Sequence, residues 1–319
     1  MGMEEVAIDA VEALFRQQIT EWGTACDNYA KLSQVKVREF TVHGSRVMVQ
    51  CNPERLRSSA ARVDKAAISH RECFLCKANR PVEQRVMEWG DYEIIVNPYP
   101  IFAKHFTIPT RKHTAQRIVS RIGDMMRLAL LMQGYTVFYN GPSCGASAPD
   151  HCHFQAGIGG FMPIEAEIAS AARNEVAREG REARLSASKV HGCNVMVIDG
   201  TTIDGCCKLF DRLYRALPQS DDIEEPMMNV LCWRTGEQGV AVVVIPRSKH
   251  RPDCYYAEGE AKLLISPASV DLGGVVIASR KEDFERITAE DIAAIFSEVC
   301  ITDAEVAGII EKIKNKTTN

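Results

Sequence analysis

Residues 140–157 read NGPSCGASAPDHCHFQAG, a loop of glycine and small residues running directly into His151, His153 and Gln155 at every second position. On a β-strand, side chains two apart face the same way, about 6.5–7 Å from one another. That period sets the three nitrogen side chains on one face, with Cys152 and Phe154 behind it. The loop before them can offer several backbone N–H groups as a nest for phosphate oxygens, and Ser147 adds a hydroxyl. A neutral imidazole is a competent nucleophile towards phosphorus. The plainer reading makes the two histidines core or metal residues, but it accounts for neither the loop before them nor the glutamine after.

Outward from this stretch, short strands and helices alternate. Residues 4–32 have helical spacing, and QVKVREFTVHGSRVMVQCNP alternates around His43-Gly44 as a hairpin would. YEIIVNPYPIFAKHFTIP reads as two strands about a Pro-rich turn, TAQRIVSRIGDMMRLALLMQ from Thr114 as a helix, and YTVFYN and HCHFQAG as strands on either side of the small-residue loop. Residues 162–188, rich in Ala, Glu and Arg, read as a helical connector. Beyond it, CNVMVID, MMNVLCWR and GVAVVVIP read as strands and DGCCKLFDRLYRAL as a helix. The tail from ITAEDI on is helical, with Thr288 as N-cap. FTIPTRKH and VVIPRSKH share Ile-Pro-x-x-Lys-His after β-rich segments. The echo points to two related α+β halves, residues 1–188 and 189–319, each an antiparallel sheet flanked by helices.

A chain of 319 residues with 46% hydrophobic and 25% charged residues can build two ordinary domains with real cores. Its net charge of -4 argues against general nucleic-acid binding, which needs a basic surface. No apolar run approaches the ~20 residues that span a bilayer. MGMEEVAIDAVEALFRQQ has neither a signal peptide's basic start and apolar core nor a myristoylation pattern. Twelve cysteines without such a signal suggest reduced thiols in a cytoplasm. Cys73 and Cys76 form Cys-x-x-Cys, a zinc half-site or a redox pair. Proline and asparagine close behind fit a zinc knuckle better than the helix that usually follows a redox pair.

NPYPIFAKHFTIPTRKH followed by NGPSCGASAPDHCHFQ resembles the histidine-triad superfamily. The branch it is most similar to holds galactose-1-phosphate uridylyltransferase, diadenosine tetraphosphate phosphorylase and the GDP-sugar phosphorylases. The specific match covers residues 73–157. It implies that His153 is the nucleophile that becomes nucleotidylated at the α-phosphorus and that Gln155 holds a non-bridging phosphoryl oxygen. Asn140, Gly145 and Ser147 match the phosphate-cradling loop, and Asn97 the ribose contact. The resemblance also gives the cysteine pair its partners: Cys73, Cys76, His113 and His151 would hold a structural zinc ion. Some relatives lack the cysteine pair, so the metal is not essential to the chemistry. The substrate implied is a small-molecule nucleotide, and relatives in this branch commonly form homodimers.

The glutamine has a consequence of its own. It can neither protonate a leaving group nor act as a base for water, as a histidine could. Transfer to phosphate or a sugar 1-phosphate is therefore favoured over hydrolysis. A nucleotide hydrolase and a non-catalytic nucleotide sensor are the other readings. Uridylyltransferases add a second metal through a later His-x-His; here only His250 stands in that half, so no second metal is expected. Arg55 and Arg57 are either phosphate contacts or a solvated basic face. Lys249 and His250 either reach the substrate or, the favoured reading, are a degenerate structural echo; His105 reads as a packed or capping residue, His43 as a turn residue, and His70 and His191 as nothing specific. Cys206-Cys207 and the run DMMRLALLM read as core.

Overall fold

A computed structural model describes residues 3–56, 68, 71–219 and 225–315. Two helices, α1 (Met3–Glu21) and α2 (Gly23–Leu32), lead into the hairpin of β1 (Lys36–Val42) and β2 (Ser45–Cys51). His43 and Gly44 turn it with φ of 50° and 81°, the two positive values that a tight hairpin needs. The hairpin pairs with β13 (Val275–Ala278), parallel to β2, as a separate three-stranded sheet.

Ten further strands form one antiparallel sheet. They are β3 (Met87–Trp89), β4 (Tyr92–Val96), β5 (His105–Pro109), β6 (Tyr135–Asn140), β7 (His153–Ile158), β8 (Asn174–Glu179), β9 (Ala183–Val190), β10 (Cys193–Gly200), β11 (Met228–Thr235) and β12 (Gly239–Pro246). Across the sheet the order is β3-β4-β5-β7-β6-β11-β12-β10-β9-β8. Counted from each outer edge inward, both five-strand units run first, second, third, fifth, fourth. They meet where β6 pairs with β11. Each unit also carries a helix between its third and fourth strands: α3 (Ile122–Leu131) in the first, α5 (Ile203–Ala216) in the second.

Strand periodicity splits the core in two. Tyr135, Val137 and Tyr139 of β6, Phe154 and Ala156 of β7, and Val240, Val242 and Val244 of β12 pack on one side with α3, α5 and α1. Phe138, Val243 and Ile245 face the other way, towards the small sheet and helix α6 (Ala289–Val299). His153 and Gln155 alternate with Phe154 and Ala156, so they point to this second face, where the small sheet leaves an opening.

Several sequence expectations need correction. The helix expected from Thr114 begins only at Ile122. The preceding stretch is held by its backbone: the Cys152 N–H donates to Thr114 O at 2.6 Å. The helical connector at 162–188 is helical only at α4 (Ile164–Ser170); the rest forms β8 and β9, and the division after residue 188 falls inside β9. HCHFQAG becomes strand only from His153. The Ile-Pro echo joins non-equivalent strands: Pro109 ends β5, third from its edge, whereas Pro246 ends β12, fourth from its own. The expected hairpin, the YTVFYN strand and the Thr288 N-cap, which accepts the Asp291 N–H, stand as read.

Candidate active site

A cavity of about 680 Å³ opens on the second face of the sheet, between β6–β7, the small sheet and the loops that follow β12. Asn97, Asn140, Gly145, Ser147, His153, Gln155 and Arg55 all line it. Arg57 and His70 lie outside the described residues.

His153 is 4% exposed and held by its backbone. Gln116, fully buried, accepts the His153 N–H at 2.7 Å and donates to Asn140 O at 2.9 Å and His153 O at 3.1 Å, tying the loop to the strand. The His153 Nδ1–H donates to the His151 carbonyl at 2.8 Å. A carbonyl can only accept, so in the neutral ring Nε2 carries the lone pair. Burial pushes His153 down to about 4, which keeps the ring neutral.

Gln155 is oriented by a residue that the sequence reading left as packing. His105, fully buried, receives the Ile101 N–H on Nδ1 at 3.2 Å, which makes its Nε2 the protonated nitrogen. That Nε2–H donates to Gln155 Oε1 at 3.0 Å. The amide oxygen is thereby committed, and the NH₂ becomes the end that Gln155 offers the cavity. Burial pushes His105 down to about 3, so it keeps this role over the physiological range.

The loop is equally fixed. Asn140 Oδ1 accepts from Asn229 Nδ2, Ser269 N and Ser269 Oγ at 2.9, 2.9 and 2.7 Å, which directs its own amide hydrogens away from the second unit. Gly145 has φ of 93°, and a Cβ there would come within 2.6 Å of Ala268 Cβ. Asn97 accepts the Tyr99 N–H and donates to Thr107 Oγ1 at the cavity edge. Arg55 donates to Tyr99 O at 2.9 Å, and burial lowers it to about 10. Burial raises Asp271, another wall residue, to about 6. Lys249 does not line the cavity; it pairs with Asp253 and Glu298, whereas His250 does line it.

Behind the loop, Cys73, Cys76, His113 and His151 gather with one ligand atom each, all within 4.8 Å of one another. Cys73 Sγ lies 3.2 Å from His151 Nδ1, and Cys76 Sγ lies 3.2 Å from His113 Nδ1 and 3.6 Å from His151 Nδ1. The His151 Nε2–H donates to Thr110 O at 2.8 Å, leaving Nδ1 to face the thiols. The cluster can bind a metal ion.

Two family profiles match the chain: a domain of unknown function (DUF4922) over residues 14–158, and the GDPGP1-like C-terminal domain over residues 207–319. No curated protein sequence matches. The yeast Ap4A phosphorylase Apa2 superposes with a TM-score of 0.53 at 17% identity over 87% of this chain and 93% of that one. In its complex with Ap4A the TM-score is 0.56 at 16% identity, covering 87% and 96%. In its complex with AMP it is 0.54 at 17%, covering 89% and 97%. The chain has the histidine-triad-like fold of this phosphorylase.

On this histidine-triad-like fold, His153, Gln155 and the loop named by the motif line one cavity, and the four metal-ligand candidates implied by the resemblance lie together. The motif missed His105, Gln116 and Asn229, which touch it through contacts 50 positions away for His105, 24 and 37 for Gln116, and 85 and 89 for Asn229. No local pattern marks them.

Proposed function

We propose that the chain is a nucleotidyltransferase of the phosphorylase type. His153 attacks the α-phosphorus of a nucleoside diphosphate-sugar or dinucleoside polyphosphate and passes the nucleotidyl group to phosphate or a sugar 1-phosphate. One observation carries the reading: a buried imidazole whose Nδ1–H is committed to a carbonyl lines the same cavity as an amide aimed by His105. The yeast relative of the same fold, named a phosphorylase and solved with Ap4A and with AMP, supports a nucleotide as ligand.

In the first step an Nε2–P bond forms, the P–O bond to the leaving phosphate breaks, and its electron pair leaves on oxygen. Nδ1–H stays in place, and the His151 carbonyl stabilises the positive charge that develops on the ring. The Gln155 NH₂ and the backbone of the 140–147 loop hold the non-bridging oxygens, with Ser147 as a further donor. Asn97 takes the ribose, and Arg55 adds positive charge. Gln155 has no proton to give, so the leaving group must be stable as an anion. The adduct then waits for an anionic acceptor.

Zinc fits the four-residue cluster. A tetrahedral centre with bonds of about 2.0–2.3 Å spaces S and N donors roughly 3.5 Å apart, close to the separations seen here. Two thiolates and two imidazoles leave no open position, so the ion would brace rather than react, pinning His151 and thus the carbonyl that orients His153. All twelve cysteines are unpaired, in keeping with a reducing cytoplasm, and none of the described helices is long and apolar enough to cross a membrane. Homodimerisation is part of the same proposal.

Intact-protein mass spectrometry after incubation with UDP-, GDP- and ADP-sugars and dinucleoside polyphosphates, without acceptor, tests the reading. A nucleotide-sized adduct on the wild type, absent from His153→Ala, is expected. Tight binding with no adduct would replace it with a sensor, and mononucleotide release without added acceptor would replace it with a hydrolase.

A further inference from the structure

We infer that the C-terminal unit builds the subsite for the acceptor, a phosphate dianion either free or in a monoester, from His250 and Arg251. This rests on the transfer reading above and adds the group that receives the nucleotidyl unit.

Antiparallel pairing brings the start of β7, the end of β6, the start of β11 and the end of β12 to one end of the sheet. Phe138 pairs with Gln155, Asn140 with Asn229 and Met228 with Pro246. The chain leaving β12 therefore emerges three strand spacings, about 14 Å, from the His153 strand, which leaves room for a diphosphate between their side chains. Both His250 and Arg251 line the cavity that His153 lines.

Their placement is built rather than incidental. Arg247, 3% exposed, donates from Nη2 to Lys249 O and His250 O at 3.0 and 2.9 Å. It also donates from Nη1 to Asn229 Oδ1 and Pro267 O at 2.6 and 3.0 Å, and from Nε to Val299 O at 3.1 Å. Asn229 in turn donates to Asn140 Oδ1 and Cys144 O. One network thus fixes the phosphate loop of the first unit against the His250 turn of the second. Arg251 is braced by Ser266, which accepts from Nε at 3.0 Å, and by the Tyr255 ring 4.2 Å from its Cζ.

An arginine head and a neighbouring imidazole N–H suit a phosphate group. In the step served, an acceptor oxygen attacks the adduct phosphorus, the new P–O bond forms, the Nε2–P bond breaks and its pair returns to His153. With hydrogen phosphate as acceptor, its proton stays on the terminal phosphate of the nucleoside diphosphate product.

The test loads wild type, Arg251→Ala, Arg251→Lys and His250→Gln with nucleotide to completion and removes free donor. Adduct loss is then followed by intact mass against increasing inorganic phosphate or, in a second arm, glucose 1-phosphate. Saturable discharge by one of them is expected in the wild type, and the arm that works names the acceptor's source. The half-saturating concentration should rise at least about tenfold in Arg251→Ala, by less in Arg251→Lys, and should rise in His250→Gln. Adduct-bearing variants that discharge with wild-type acceptor dependence would overturn the subsite, as would a wild-type adduct that neither acceptor removes. Should Arg251→Ala not fold, Arg251→Lys and His250→Gln decide. Absence of any wild-type adduct is a different result: it refutes the transfer reading, and the subsite falls with it.

Discussion

His105 joins two elements through one ring, taking the Ile101 N–H and giving its own to Gln155. His105→Phe keeps most of the packing between Phe102 and Phe138 but leaves the buried Ile101 N–H without a partner and Gln155 free to turn. The expected cost is about 1–3 kcal/mol in denaturant unfolding. Adduct formation should slow by roughly the factor of ten that one lost orienting bond implies. A variant with wild-type adduct kinetics would show that Gln155 is oriented by other means. The same ring predicts a pH response. His105 and His250 are pushed down to about 3 and about 4 by burial, so below about pH 6.5 the unfolded chain takes up protons that the native chain refuses. Stability should be full above pH 6.5 and fall as the pH drops towards 4, measurable as a declining melting temperature, with a shallower decline in His105→Phe. A flat profile over that window would contradict the assignment. None of this was legible in AKHFT: the stretch lies within the segment that carries the resemblance, but the meaning of His105 lies in a partner 50 positions later.

The 140–147 loop depends on close approach between units. Gly145→Ala would need a left-handed backbone that alanine adopts only under strain and would drive its Cβ into Ala268. We expect about 1–3 kcal/mol of destabilisation and a clear loss of nucleotide affinity, read by denaturant unfolding and calorimetric titration. Wild-type affinity would mean that the loop does not cradle the phosphates. Such elements were readable where local chemistry agrees with the tertiary fold, as in the His43-Gly44 hairpin and in FQAG alternating behind the loop. They were misread where it does not. Residues 171–188 are rich in helix formers, yet Leu185 is fully buried and Ala183 and Ala187 nearly so along β9, and the sheet edge overrides the propensity. The Ile-Pro echo misled because it repeats a strand ending, whereas the units repeat a strand order that no short string of residues carries.

At the scale of the whole molecule, the cluster of Cys73, Cys76, His113 and His151 brings the segment at 73–76 and the turn at His113 against the residues that lead into the His153 strand. Elemental analysis should find about one zinc per chain, and Cys76→Ser should lower it. Stripping the ion with a strong chelator should cost a few kcal/mol, at about 1.5 °C of melting temperature each for a chain of this length. Adduct formation should weaken with it, since the His151 carbonyl loses its anchor. A chain without zinc and indifferent to chelation would leave the cluster as buried thiols and histidines. The meeting of β6 and β11 has a consequence of another kind. Two five-strand units that separate molecules could have contributed are here consecutive parts of one polypeptide, so the two walls of the cavity are present in a fixed ratio and cannot be parted by dilution. Their sequences are also free to diverge: where one unit carries His153 and Gln155 on its fourth strand from the edge, the other carries valines on β12, and division of labour takes the place of symmetry.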